Sequence, residues 1–372
     1  MIRTDRAHLN VVAQTHAGMT GKNNEDRYAV TTFQVSEEDP TPVLFAVVAD
    51  GIGGHRAGEV AAELAVNHIS QAVAESDAQR PKKVLERAIH EASDAIADHA
   101  SSSPDQKGMG ATCACVFVIG DKLYTATVGD SRIYLLREGR IQQLTTDHTW
   151  VQEAIEKNIL TPEQARDHPN VHVIRRYLGS PDPPEVDFRL RMFDSEADAL
   201  AEGNQGMQIH PSDTFLICSD GLTDLVWNDE IAEIIRAKSA LKAAAQELID
   251  TANQRGGHDN TTVVLINVPR DLKLMVPKRI NWRPWIIGGG ITLLLFLAFA
   301  TVLTVNLLRA TIFATPTPTF TPSPVPTLTQ TKTPTVSPIP TETLTATPSP
   351  LGPTYTPWPT NTEIPSKTPP TP

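Results

Sequence analysis

Acidic residues stand at the ends of apolar runs again and again in the first part of this sequence, and they are the groups best placed to do chemistry. An unbroken apolar run over 43–49 stops at Asp50, which is followed by Gly51, Gly53 and Gly54. Ser219-Asp220-Gly221 closes the run Phe215-Leu216-Ile217-Cys218 in the same way, and Gly129-Asp130-Ser131-Arg132 joins two further runs. Asn24-Glu25-Asp26 and His258-Asp259-Asn260 each stand just before one. A carboxylate at the end of a buried strand is costly unless positive charge offsets it, and no Lys or Arg follows Asp50 until Arg56. A bound metal ion is the natural compensation. Gly51 suits one, because a residue without Cβ turns sharply and can present its carbonyl oxygen beside the carboxylate.

Taken singly, Asp-Gly equally makes a tight turn. The recurrence of such corners argues against chance. If two sheets face each other, acids at adjacent strand ends converge on one edge and form an all-oxygen site for a hard ion such as Mg²⁺ or Mn²⁺. His258 stands beside Asp259, but a lone histidine next to an acid is more often a hydrogen-bonding neighbour than a ligand.

The elements that must position these acids read as strands over 10–14, 27–33, 43–49, 111–119, 122–128, 132–136, 214–219 and 261–268. Tight connections at Gly120-Asp121 and at Gly129-Asp130-Ser131 suggest antiparallel hairpins. Helical spacing appears over 59–69, 81–99 and 240–254, where Leu241, Ala245, Leu248 and Ala252 share a face. This pattern predicts an α+β domain with helices covering antiparallel sheets. A polar, helical excursion over 145–179 reads as an insertion across a surface.

Length and composition set the bounds. A chain of 372 residues suggests about two domains, yet Pro and Thr crowd into its C-terminal part, so the globular unit is expected within about the first 270 residues. A net charge of −11 argues against nucleic acid as a partner. Cys113, Cys115 and Cys218 all sit in apolar runs without zinc-site spacing and read as reduced core residues. Cys218 lies close to Asp220, but no Arg follows it at Cys-x5-Arg spacing. No apolar stretch of signal-peptide type opens the chain.

The blocks AGMTGKNNEDRY, VVADGIGGHRAGE, MGAT, VGDSRIY, LTTDHTWV, VIRRYLGS, LICSDGLTD and HDNTTVV, in this order, resemble the metal-dependent protein phosphatases, the type 2C serine/threonine phosphatases in their bacterial form. The resemblance spans about residues 8 to 268. It implies a four-layer α-β-β-α sandwich of two antiparallel sheets, with Mn²⁺ or Mg²⁺ at one edge: two ions held tightly and a third, weaker one. By similarity Asp50 bridges the two tight metals, the Gly51 carbonyl binds one of them, and Asp220 and Asp259 hold the other. Asp130 helps to hold the third, while Asp26 orients metal-bound water without touching a metal. The implied reaction is in-line attack of a metal-bridged hydroxide on a phosphoserine or phosphothreonine ester, with no covalent phosphoenzyme. Phosphoproteins are the implied partners, a bacterial Ser/Thr kinase among them.

The sequence departs from the family pattern in places. Most members carry an Arg four residues before the Glu of the Asn-Glu-Asp block, where it grips the substrate phosphate; this chain has Gly21 there, with Lys22 next. Lys22 is the expected substitute, a point charge without the bidentate fork of Arg. Loss of one cation at a transition state costs about 2 to 4 kcal/mol if nothing replaces it, which leaves a second reading open: a catalytically weak member acting as a phosphoprotein-binding regulator. Ile52 stands where eukaryotic members have a His proposed as general acid, and His16 where the family often has Asp. The excursion over 145–179 corresponds to the flap bordering the active-site groove. Its Arg166 and Arg175 are available to a phosphoprotein or to solvent, whereas Arg176 and Arg132 are expected to make structural pairs.

Beyond Pro269 the composition changes twice. The basic linker 271–284 contains Lys273, Lys278, Arg279 and Arg283, and 285–308 contains no charged residue. At about 1.5 Å per residue that run crosses a hydrocarbon core of about 30 Å, so a transmembrane helix through the lipid bilayer is expected. The basic flank places residues 1–270 in the cytoplasm by the positive-inside rule. The remainder, 309–372, is Thr-Pro-rich and predicted to be a disordered extracytoplasmic tail.

Overall fold

The computed structural model describes residues 1–53, 56–102, 104–166, 168–272, 296–306 and 308–309. The chain divides into two units, Met1–Ile280 and Asn281–Pro372. The first opens with strands β1 (Ile2–Arg3), β2 (Asn10–His16), β3 (Arg27–Gln34), β4 (Pro42–Ala49) and β5 (Gly51–Ile52), then helices α1 (Arg56–Ala74) and α2 (Pro81–Ser102). Strands β6 (Gly110–Ala111), β7 (Cys113–Ile119), β8 (Lys122–Val128), β9 (Arg132–Arg137) and β10 (Arg140–Gln143) follow. Short helices α3 (Trp150–Glu156), α4 (Pro162–Arg166) and α5 (Asp198–Gly203) precede β11 (Met207–Gln208) and β12 (Thr214–Cys218). The unit closes with α6 (Asp220–Thr223), α7 (Asn228–Ala237), α8 (Leu241–Gln254) and β13 (Thr261–Asn267).

The strands form a six-stranded sheet in the order β1-β3-β4-β7-β8-β11 and a five-stranded sheet in the order β10-β9-β12-β13-β2, both antiparallel. The pair β5-β6 forms a separate two-stranded ribbon.

Side-chain alternation explains how the sheets stack. Along β4, Val43, Phe45, Val47 and Ala49 pack with α1 and α2 residues such as Ile69, Leu85 and Ile89. Leu44, Ala46 and Val48 turn the other way, toward Ile133, Phe215, Ile217, Val264 and Ile266 of the second sheet. Leu216, Cys218, Val263 and Leu265 of that sheet pack instead with Leu222, Ile231, Ala245 and Leu248 of the outer helices. Three apolar layers thus separate four structural layers, helix-sheet-sheet-helix. Strands such as β4 are covered on both faces, which is why their sequences read as unbroken apolar runs.

Two expectations are corrected. The hairpin at Gly120-Asp121 forms, with Ile119 opposite Lys122, but Gly129-Asp130-Ser131 is not a hairpin turn: β8 belongs to the first sheet and β9 to the second. The single strand over 111–119 is interrupted at Thr112, whose N–H is drawn to the Asp50 carbonyl at 2.8 Å. The excursion over 145–179 contains α3 and α4 joined by turns, tied down by bridges Thr149↔Ile174 and Ala111↔Leu178.

Of the second unit, 296–306 is helical with exposed apolar side chains, Phe296 and Phe299 among them. Among the described residues no helix is long and apolar enough to cross a membrane. Most of the expected span 285–308, the greater part of the linker 271–284 and nearly all of the tail 309–372 lie outside the described residues.

Candidate metal centre

Each acid singled out from the sequence sits beside one end of a strand, and Asp50 feels the charges of Asp26, Asp130, Asp220 and Asp259. Asp50 follows β4, and its N–H donates to Thr112 Oγ1 at 2.9 Å. The close approach of α1 demands Gly51: a Cβ there would stand 2.1 Å from the Gly58 carbonyl oxygen. Asp26 immediately precedes β3, is 1 % exposed, and accepts a 2.7 Å hydrogen bond from Ser219 Oγ on Oδ2. Ser219 Oγ in turn accepts the Thr262 N–H at 2.9 Å, so one hydroxyl ties the two sheets together behind the acids. Asp220 opens α6, directly after β12. Asp130 lies in the crossing between the sheets and is buried. Asp259 precedes β13 and accepts the Asn260 N–H on Oδ1 at 2.9 Å.

Burial first, and then mutual repulsion, raises the proton affinity of this group. Desolvation, opposed by hydrogen bonds from Ser219 and Thr262 and reinforced by the charges of Asp220 and Asp259, pushes Asp26 up to about 7. Desolvation together with the charges of Asp224 and Asp259 pushes Asp220 up to about 7. Asp50 is driven well above the carboxylate range by desolvation and by Asp26, Asp220, Asp130 and Asp259. Asp130 is driven the same way by desolvation, Asp220 and Asp147. Two buried carboxylate oxygens, Asp26 Oδ1 and Asp220 Oδ1, have no hydrogen-bond partner. Asp26 and Asp130 are buried, Asp50 and Asp220 half-buried and Asp259 exposed. The nearby Arg132 and His172 offset the charge of Asp130 and Asp220 only in part, and clustered carboxylates with unpartnered oxygens are a donor set for hard divalent ions. The residues present therefore fit the ions expected there.

A cleft of about 730 Å³ lies beside the acid cluster and is lined by one of its members, Asp259, and by Gly221, the residue after Asp220. Asp259, Gly221, Asp224, His258 and Lys22 line it on the domain side, and Val151, Ile155, Pro162, Ala165, Val171 and His172 of the 145–179 segment line it opposite. Lys22 is exposed and reaches this cleft, whereas Gly21 stands at φ 74° with open space around its Cα. Such a φ strains any larger residue. Arg132 faces the cleft but is committed to Asp147 through Nε and Nη2, the shortest contact being 2.6 Å. Arg176 pairs with Glu185 at 3.0 Å and Arg175 with Glu153 at 3.5 Å, so the structural role expected of Arg176 and Arg132 is the one observed. Cys218 is buried and its thiol pushed up to about 12 by desolvation, which leaves it no role as a nucleophile.

Three contributors escaped the sequence reading. Asp224 lies four residues after Asp220, a helical spacing that puts both carboxylates on one face, and the ligand atoms of His172, Asp220 and Asp224 lie within 4.8 Å of one another. His172 Nδ1 is 3.4 Å from Asp224 Oδ2, joining the flap segment to the acid cluster. Asn260 pins the loop bearing Lys22, donating to Ala17 O and Asn23 O at 3.0 Å and accepting the Glu25 N–H at 2.6 Å. His16 also acquires a role: its Nδ1 accepts the Gly18 N–H at 3.0 Å, a short-range turn contact that an Asp side chain also makes.

Two facing antiparallel sheets that gather carboxylates at one edge, with His172 of the 145–179 segment beside Asp220 and Asp224, are the arrangement of a metal-dependent phosphatase domain. A family model described as Protein phosphatase 2C matches residues 13–261, and the chain belongs to that family of metal-dependent phosphoprotein phosphatases. It is 36 % identical over 263 residues to the serine/threonine phosphatase stp of Listeria monocytogenes, spanning 70 % of this chain and 95 % of that protein. A solved serine/threonine phosphatase of S. agalactiae superposes with a TM-score of 0.60 at 32 % identity, covering 70 % of this chain and 99 % of that one. The catalytic domain of the serine/threonine phosphatase PstP, solved in complex with 2 manganese ions, superposes with a TM-score of 0.57 at 31 % identity, covering 70 % of this chain and 98 % of that one.

Proposed function

We propose that the chain is a membrane-anchored protein serine/threonine phosphatase acting through Mn²⁺ or Mg²⁺ at the acid cluster. The observation that carries this reading is the cluster of carboxylates at the sheet edge, Asp26 and Asp130 buried, with Asp26 Oδ1 and Asp220 Oδ1 unpartnered. Asp50, Asp220 and Asp259, with the Gly51 carbonyl, would hold two ions, and Asp130 would contribute to a third. When bound, such ions supply a water activated near neutral pH and offset the charge that builds on the phosphoryl oxygens. Asp26, fixed through Oδ2 by Ser219, would present its unpartnered Oδ1 to such a water. Lys22 at the cleft rim meets the substrate phosphate as a point charge. The apolar flap side, with Val151, Ile155 and Val171, shields the reacting ester from bulk water. Substrates are phosphoserine and phosphothreonine proteins, a bacterial Ser/Thr kinase among them.

The uncharged run 285–308, preceded by Lys278, Arg279 and Arg283, supports a single membrane span with the catalytic unit in the cytoplasm and the Thr-Pro-rich tail outside. Gly21 is the one feature favouring the second reading, a slow member that chiefly binds phosphoproteins. The purified full chain in detergent, assayed on a phosphothreonine peptide with and without Mn²⁺, separates these. Metal-dependent phosphate release well above an Asp220→Ala control supports the enzyme; tight peptide binding with release equal to the control supports the regulator.

A further inference from the structure

The crossing that carries Asp130 has no strand ladder to hold it, because β8 and β9 belong to different sheets. Its backbone is nevertheless gripped on both sides of Gly129 by one residue. The Gly129 N–H donates to His148 Nδ1 at 3.0 Å, and the His148 N–H donates to the Gly129 carbonyl at 3.0 Å. The two peptide planes leading into Asp130 are thus both fixed by His148.

The ring's protonation pattern follows from this contact. A backbone N–H can only donate, so Nδ1 accepts and the ring proton resides on Nε2. Nε2 lies 3.1 Å from Asp187 Oδ2 and donates to it. Asp187 is itself immobilised: Arg189 Nε reaches Oδ1 at 3.0 Å and Oδ2 at 2.8 Å, and Asp187 exchanges backbone hydrogen bonds of 3.0 Å with Thr127. His148 and Asp187 are 5 % and 6 % exposed, so water does not replace a lost partner. On the other side of Asp130, Ser131 Oγ meets Thr112 Oγ1 at 2.7 Å, and the Asp50 N–H donates to the same Thr112 oxygen at 2.9 Å.

We propose that His148, held by Asp187 and Arg189, is a positioning residue that sets the Asp130 carboxylate for cation binding through its Nδ1 acceptor. This inference rests on the reading of Asp130 as a ligand of the weaker ion. It accounts for the His of the LTTDHTWV block, which the metal reading leaves without a task. The arrangement is that of an outer partner orienting a metal-binding group, a role whose loss typically costs about 10- to 100-fold in metal affinity.

The test is Mn²⁺ binding to the full chain in detergent, followed by electron paramagnetic resonance of free Mn²⁺, with phosphopeptide turnover and thermal unfolding measured alongside. The variants are His148→Gln, His148→Asn and Asp130→Ala. An Asn side chain can place its amide oxygen near the Nδ1 position, whereas Gln cannot. His148→Gln is expected to weaken the lowest-affinity Mn²⁺ class by about 10- to 100-fold, leaving the tighter ions and the KM for peptide near wild type, and His148→Asn to restore most of the loss. If Asp130→Ala weakens that class and His148→Gln does not, or if both His148 variants lower only the unfolding temperature, the positioning role is refuted. Equal weakening by His148→Asn and His148→Gln refutes the Nδ1 mechanism. An unchanged isotherm for Asp130→Ala overturns the assignment of Asp130 and this inference with it.

Discussion

Removing the metal should make the domain's stability depend on pH in the direction opposite to ordinary acid denaturation. Asp26 is raised from 3.8 to about 7, chiefly by burial, and it is 1 % exposed, so solvent screening does not erase the effect. An acid whose folded value lies above its unfolded one favours the folded state below the unfolded value. That stability is lost as pH rises from about 4 to about 7. At about 1.4 kcal/mol per unit, a rise of roughly three units corresponds to an upper limit of about 4 kcal/mol. Asp220 shares the same repulsion, so the two contributions do not add. The assay is urea unfolding of chelator-treated protein between pH 5 and 8, followed by intrinsic fluorescence. Wild type should lose stability across this range, Asp26→Asn should lose much less and surpass wild type at pH 8, and Mn²⁺ should flatten the wild-type dependence while Asp26→Asn remains poorly active. Equal midpoints for metal-free wild type at pH 5 and pH 8, or a less stable Asp26→Asn at pH 8, would refute the reasoning.

Lys22→Ala should lower kcat/KM on a phosphothreonine peptide by about 10²-fold, the loss of one cation at the transition state, with Mn²⁺ affinity unchanged and partial recovery in Lys22→Arg. Steady-state kinetics and metal titration check both. Gly51→Ala forces a Cβ to within 2.1 Å of the Gly58 carbonyl oxygen, and a thermal scan should show a loss of at least about 1 to 3 kcal/mol. The full chain should sediment with membranes and resist extraction by carbonate, whereas a chain ending at residue 272 should remain in the supernatant; a soluble full chain would remove the anchor.

The legible parts of this protein are those whose signal is carried by a single segment. An unbroken apolar run such as β4 is a direct record of burial on both faces, half of its side chains against helices and half against the other sheet. Acids at strand ends are equally local, and Asp26, Asp50, Asp130 and Asp220 do influence one another in space. The partner of a strand is not local. Gly129-Asp130-Ser131 has the composition of a hairpin turn, yet the layer in which β9 finds its apolar cover decides its sheet, and the turn becomes a crossing. Two-residue strands such as β5, β6 and β11 are too short to show a period. Asn260, His148 and His172 act through contacts with residues distant in sequence, and no spacing announces them. Asp224 is different, since its i,i+4 relation to Asp220 was available to be read.

The most direct test of the central claim is Mn²⁺ binding and phosphate release followed in one titration for wild type and Asp50→Asn. If the acid cluster holds the ions that drive hydrolysis, wild type gains activity in step with Mn²⁺ occupancy, and Asp50→Asn loses tight binding and turnover together. Tight Mn²⁺ binding and undiminished turnover in Asp50→Asn, or wild-type turnover that persists after complete chelation, would contradict it.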